Sequence, residues 1–419
     1  MFGRGSGVRT ALAVLGLASA CTACGSTTDS LGYNGPGGTH LRPLARRSYM
    51  APFRELHTDA EIANKLANWF TQLFHGDMNT AAIYFPIGAD QANVQDILHD
   101  KQVRTEGIGL AMMIAVQLDK REEFDRLWTY ASMMLEYKDA PKRGYFQSWC
   151  NTPNATTQPC DDPFGESQMT MALIFAHDRW GSTTTLDYET GAIGLLTVMR
   201  HKQDENGGVV GGVTDTFDAM AALPYVEPTD DNAALSSGSP SIVMPAYYDL
   251  WAEATGDPFW TRAASSSRAY WRKSAHPTTG LMPVRATFAG DPVLPWDNWL
   301  AESYRAQINM TLDQIWTLAE PDAWEVSEAN TLLAFFSSKG INSYGATFTL
   351  DGGPIDINRD NGLIAVNGVT AMIATKPLDR VDYITKAWDL GPPTGIPRYY
   401  SGILGLTSML ILSGLYQVW

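Results

Sequence analysis

The stretch that most constrains this chain is Val103-Arg-Thr-Glu-Gly-Ile-Gly-Leu-Ala-Met-Met-Ile-Ala-Val-Gln-Leu118. From Thr105 onward it reads as one helix, apolar almost all round, with a single acid, Glu106, in its first turn. A helix with one apolar stripe can lie on a surface, but a helix apolar on every face must be wrapped by other elements. Glu106 then has two readings. A carboxylate in the first turn, following a Thr N-cap, is favoured by the helix dipole and needs no further explanation. The other reading is a half-buried acid at the mouth of a helical barrel. The rest of the chain bears on the choice.

Helical periodicity predicts further helices near 59–75, 121–137, 166–180, 187–203, 241–254, 257–273, 301–319, 323–337, 360–374, 379–389 and 400–415, each of ordinary length. Twelve helices in succession, with no alternating strands, predict an all-α fold of paired inner and outer helices closed into a toroid. The long connectors 76–104, 138–165 and 274–300, with a shorter one at 351–361, should build its cleft. No Pro/Gly-rich linker interrupts residues 48–419, which are therefore expected to form a single domain.

The residues before 48 read differently. Arg4 and Arg9 precede the apolar run Ala11–Leu17 and the small-residue sequence Leu-Ala-Ser-Ala-Cys21. This is the pattern of an export signal over residues 1–24 and predicts an extracellular, cell-surface or periplasmic protein. Cys21 and Cys24 lie where a lipoprotein carries its acylated cysteine. A lipid tether through Cys21 and a cleaved secretory signal both remain open. Residues 25–47, rich in Gly, Ser, Thr and Pro, read as a flexible tether. No other stretch is long and apolar enough to span a bilayer. Cys150 and Cys160 flank a Pro/Thr/Asn loop, which a local disulfide would close in an oxidising compartment. No CxxC or His-x-x-His partner makes the pair a metal site.

A formal net charge of −15 argues against a nucleic-acid partner. Thirteen Trp and seventeen Tyr supply rings suited to stacking on sugars as well as to a core. The chain has no GxSxG elbow, Walker A loop, HExxH or strand-bound GxGxxG, and its seven histidines are scattered and read as surface or structural. Carboxylates at helix starts beside aromatics are the remaining candidates: Glu106, the cluster Asp161-Asp162-Pro-Phe164-Gly-Glu166, and Trp296-Asp-Asn-Trp299-Leu-Ala-Glu302-Ser-Tyr304-Arg305. Two carboxylates across an aromatic-lined cleft are what glycoside hydrolysis requires. One donates a proton to the leaving oxygen; the other activates water or attacks the anomeric carbon. Spacing alone leaves inversion and retention open.

Several motifs then follow one another in a familiar order. They are Gly76-Asp77 with Tyr84-Phe85-Pro-Ile-Gly, Val-Arg-Thr-Glu106-Gly, Glu-Phe-Asp-Arg-Leu-Trp128, Ser239-Pro-Ser-Ile-Val-Met-Pro-Ala-Tyr-Tyr-Asp-Leu-Trp-Ala252 and Arg398-Tyr-Tyr-Ser-Gly. From about residue 60 to the end, the chain resembles glycoside hydrolase family 8, and around Glu106 it is most similar to the branch acting on xylo-oligosaccharides. The resemblance implies an (α/α)6 barrel of six inner and six outer helices and inverting hydrolysis of β-1,4 linkages in xylan- or cellulose-type glycans; a monomer is expected. It implies no metal and no organic cofactor. Glu106 would be the general acid and Glu302 the general base. Trp149, Asp162, Phe164, Tyr247, Trp299, Tyr304, Arg305, Tyr399 and Tyr400 would contact sugar.

The chain departs from the family at three places. Phe164 replaces an Asp that contacts the sugar at the cleavage subsite; it can stack but accepts no hydrogen bond, and Asp162 is its nearest substitute. Glu302 replaces the basic Asp with a side chain one methylene longer. Asn358-Arg359-Asp360 stands where the exo-acting branch carries a Leu-His-Pro block, so endo and exo action both remain open. A carbohydrate-binding protein of the same fold with weakened or lost catalysis is the second reading. A structural toroid in an envelope complex is the third.

Overall fold

The computed structural model describes residues 40–150, 162–228, 237–317 and 321–419, all within one compact unit, Gly32–Trp419. Cys160, Cys21 and the export signal lie outside the described residues, as do all of residues 151–161 between Cys150 and Asp162. After a short α1 (Pro52–Leu56), helices α2 (Asp59–His75), α4 (Arg121–Tyr130), α6 (Tyr188–Asn206), α8 (Pro258–Ser274), α10 (Ala323–Ser338) and α12 (Pro377–Trp388) form the outer layer. Helices α3 (Thr105–Gln117), α5 (Pro163–Trp180), α7 (Pro245–Thr255), α9 (Tyr304–Trp316), α11 (Asn361–Thr370) and α13 (Tyr400–Ser413) form the inner layer. All twelve predicted helices are present, and the architecture is the (α/α)6 barrel.

Burial separates the two layers. In α3 every residue except Glu106 is buried, and in α13 every residue except Tyr400. The outer helix α2 instead buries one face, Ile62, Leu66, Trp69, Phe70, Leu73 and Phe74. Helices apolar all round fill the centre because only there are all their faces covered; amphipathic ones wrap them. Thr105 is not the N-cap expected of it. Arg104 occupies that position, and the Thr105 hydroxyl donates to the Gln147 carbonyl.

Between helices the chain forms small antiparallel sheets that the helical periodicity did not reveal. The one beside α3 runs β1 (Tyr84–Ile87), β2 (Gln91–Asp96), β3 (Gln102–Arg104) and β4 (Trp149–Cys150), in that order. Arg104 pairs with Trp149, so the sheet delivers the chain directly into the first turn of α3.

The inner helices all run the same way, with their C-terminal turns at one end of the barrel. Residues 40–49 cross that end. Leu41 and Leu44 are buried, Leu44 N–H donates to Asp178 at 3.1 Å, and Ala45 N–H donates to Glu253 at 3.0 Å. Arg47 donates to the Trp316 carbonyl at 2.6 Å and Arg54 to the Ser413 carbonyl at 3.0 Å. Cations at helix C-termini satisfy the last carbonyls and the negative end of the dipole. Residues 40–47, expected within the flexible tether, are therefore a packed strap. The expectation overlooked two buried leucines and a basic pair of which Arg47 reaches the Trp316 carbonyl and Arg46 lies over the Trp419 ring.

Candidate active site

At the other end of the barrel the inner helices present their N-termini, each a source of about half a positive charge. There a cavity of about 320 Å³ opens to solvent. Glu106, from the first turn of α3, and Glu302, from the single 3-10 turn before α9, both line it. Arg104, Asp96 and His99 line the side of the β2–β3 turn; Asp360, Tyr399, Tyr400 and Ser401 come from α11 and α13. The connectors expected to build the cleft contribute through 76–104 and through Asp360, whereas 274–300 does not reach this cavity. The loop before α13 was not anticipated.

Glu106 is nearly buried, its side chain 15 % exposed, and Arg305 Nη1 donates to its Oε1 at 3.1 Å. Burial raises its pKa above the ordinary carboxylate value, against the opposing fields of Arg305 and Arg104; the nearby Asp162 and Glu302 push the same way as burial. Desolvation thus outweighs the ion pair, which shifts the balance toward the protonated form. Glu302 by contrast is exposed at the rim.

Arg305 ties the two together. Its Nε donates to the Glu302 backbone carbonyl at 3.2 Å and its Nη2 to Ser241 Oγ at 3.4 Å, while its guanidinium lies 4.3 Å from the Phe164 ring centre. Phe164 is buried beneath that cation and does not line the cavity, which corrects its expected sugar contact. An aromatic face can hold a guanidinium but leaves its N–H groups to find other acceptors, and Glu106 is one of them. Asp162 caps α5, accepting from Gly165 N–H at 3.1 Å, and burial raises its pKa as well. It acts on the site through its field on Glu106.

Three more expected contacts are core residues. Tyr304 is buried and donates to the Ala346 carbonyl at 2.6 Å; Trp299 is buried against Tyr304, Phe336 and Phe348. Tyr247 is buried deep in the barrel, donating to Gln168 Oε1 at 2.9 Å and stacked on Trp316. Proximity in sequence to Glu302 or α7 says nothing of which face of the backbone a ring takes. Tyr399 and Tyr400 do line the cavity. Tyr400 donates to the Ala301 carbonyl at 3.0 Å, and the Tyr399 hydroxyl, buried, has no hydrogen-bond partner. Trp149 lies on β4 opposite Arg104.

Asp360 was overlooked as a site residue. Its carboxylate caps α11 through the Gly362 and Leu363 N–H groups and accepts from Ser401 Oγ at 3.0 Å. An Asp at the N-cap position, three residues before the apolar run Leu363–Val366, was the available signal.

Close helix contact holds Glu106 in place. A Cβ on Gly165 would lie 2.5 Å from the Glu106 backbone N. Gly165→Ala is therefore expected to push α5 from α3, lowering stability by about 1–3 kcal/mol and reducing turnover; thermal unfolding with steady-state kinetics checks this.

Among the described residues no group of three His, Cys, Asp or Glu side chains is arranged to hold a metal, and no helix is long and apolar enough to cross a membrane. The family model for glycosyl hydrolases family 8 matches residues 87–414. The reducing-end xylose-releasing exo-oligoxylanase Rex8A of Paenibacillus barcinonensis is 32% identical over 381 residues, covering 87% of this chain and 95% of its own. A reducing end xylose-releasing exo-oligoxylanase of Halalkalibacterium halodurans is 31% identical over 384 residues, covering 89% and 95%. The crystal structure of a GH8 xylobiose complex from Teredinibacter turnerae is similar at a TM-score of 0.83 and 32% identity, covering 89% of this chain and 98% of that one.

Proposed function

The chain belongs to the glycosyl hydrolases of family 8, and from that membership we propose that it is an inverting glycosidase of β-1,4-linked xylo-oligosaccharides or xylan. Glu106 is the general acid and Glu302 the general base. The observation that carries this reading is the difference between two carboxylates on one cavity. Glu106 is enclosed, and burial shifts it toward its protonated form; Glu302 stands at the rim, where water reaches it. Such a pair divides the work of acid and base. Protonation of the glycosidic oxygen by Glu106 lets the C–O bond break as charge develops on the sugar ring. Glu302 takes a proton from the water that adds to the opposite face, so a β-linkage yields an α-anomer. Arg305 positions both groups, and its charge limits how far burial raises Glu106.

Relatives named for xylo-oligosaccharides support that substrate first; endoglucanase relatives support cellulose-type β-glucan as the second choice. Incubation with xylohexaose and cellohexaose, followed by proton NMR, tests it. Release of shorter oligosaccharides with the α-anomer appearing first is expected. No turnover on either glycan overturns the proposal. We also propose export, with lipidation at Cys21, on the basic, apolar and small-residue run of residues 4–21; loss of membrane association in Cys21→Ser checks it.

A carbohydrate-binding role with weakened catalysis is the second reading, favoured by the Arg305–Glu106 ion pair that Phe164 leaves in place. Phe164→Asp is expected to draw Arg305 from Glu106 and raise kcat several-fold; unchanged or lower kcat in the folded variant shows that Phe164 does not restrain the acid.

A further inference from the structure

The mouth of the cavity carries three side chains that the mechanism above does not use. Leu98 and His99 sit on the β2–β3 turn, and Ile396 on the loop before α13. Leu98 and Ile396 are large aliphatic groups left 63% and 58% exposed. His99, half exposed, is held by Asp96, whose side chain is only 4% exposed. Asp96 accepts from His99 Nδ1 at 2.6 Å and from Leu98 N–H at 3.0 Å, and pairs with Arg104 at 2.9 Å.

A carboxylate only accepts, so Nδ1 carries the hydrogen, which leaves Nε2 as the ring nitrogen available to a ligand hydroxyl. The ring is also placed by its backbone. Asp100 and Lys101 follow with φ of 51° and 61°, and Gln102 N–H returns to the His99 carbonyl at 3.0 Å. Two consecutive non-glycine residues in the left-handed region are unfavourable, and such strain persists where the surrounding structure demands that shape. The loop that carries Ile396 is equally fixed. Buried Arg398 donates to the Ala82 carbonyl at 3.0 Å and to the Gly395 carbonyl at 2.8 Å, and Gly395 N–H donates to the Thr80 carbonyl at 2.8 Å.

We propose that Leu98, His99 and Ile396 form a subsite for one further sugar unit at the mouth of the cavity, with His99 Nε2 accepting a ring hydroxyl and the two aliphatic side chains covering C–H faces. The inference rests on the glycosidase reading and deepens it. Sugars need both an apolar surface and placed hydrogen-bond partners, and prealigned walls spare the entropy of ordering them on binding.

The test is the chain-length dependence of kinetics on xylo-oligosaccharides of two to six units. His99→Ala should raise KM about three- to tenfold, the loss of about one hydrogen bond, for oligosaccharides long enough to reach the mouth. The shortest should be unaffected, and the effect should fall on KM and not kcat. His99→Gln, which keeps an acceptor near Nε2, should recover part of the loss, and Leu98→Ser should weaken the same lengths. A purely structural His99 would alter kcat or stability at every length. Equal KM values for the wild type and His99→Ala at all lengths, in an active enzyme, overturn this inference alone. Absence of both hydrolysis and oligosaccharide binding in the wild type overturns it together with the glycosidase reading.

Discussion

Replacing Glu106 with Gln is expected to lower kcat on xylo-oligosaccharides by about 10²- to 10⁴-fold, the usual contribution of a general acid. The amide has nearly the shape of the carboxyl group and keeps the contact with Arg305, so KM should change little. What is lost is the proton. A substrate with a good leaving group, such as an aryl xylobioside, needs little protonation and should be largely spared. The pH profile supplies a second readout. The working form of Glu106 is the acid, so activity is full below its pKa and falls as pH rises through it. Burial has raised that pKa against Arg305 and Arg104, so the alkaline limb should lie above the ordinary carboxylate range. Glu106→Gln should abolish that limb in the residual activity. A variant retaining a tenth of wild-type kcat on unactivated substrate would remove Glu106 from the role.

Glu328→Gln is expected to stabilise the folded protein at neutral pH by on the order of 3 kcal/mol, from about 1.4 kcal/mol per pKa unit. Glu328 lies on α10, buried, with Oε1 lacking a hydrogen-bond partner, and burial pushes its pKa up to about 8. The unfolded chain loses this proton near pH 4.3, whereas the folded one keeps it. The folded-state pKa is raised, so the favourable contribution is complete below the unfolded pKa and is lost as pH climbs through the folded one. Glu325, one turn earlier on α10, is shifted the same way by burial and by the neighbouring Asp313 carboxylate, which itself is held by Arg268 at 2.6 Å. Urea unfolding at pH 5, 7 and 8.5 should show wild-type stability declining with pH and a shallower decline in Glu328→Gln. Equal slopes would mean Glu328 ionises freely in the fold.

Much of the barrel could be read before any coordinates. The all-round apolar pattern of α3 and the one-sided pattern of α2 distinguish inner from outer helices, because a covered helix has no face on which polar residues are needed. Glu106 stood out for the same reason: one acid in an otherwise apolar helix. Small sheets were harder to see, since two- to six-residue strands such as β3 and β4 carry too few side chains for a period to register.

The site was only partly open to the same reasoning. Local pattern determined that Glu106 begins an enclosed helix and that Glu302 and Arg305 begin another. It could not show that Arg305 reaches back to Glu106, that Phe164 lies beneath the guanidinium, or that Tyr247, Trp299 and Tyr304 turn into the core. Nor could it single out His99 from the other six histidines. Those outcomes depend on which loops meet at the N-terminal end of the barrel, brought together from positions as distant as Asp96, Glu302 and Tyr400. Periodicity is a property of neighbours along the chain, and it specifies which face a helix buries. Burial depth, ion pairing and access to solvent are properties of neighbours in space, and they exist only once the helices have closed.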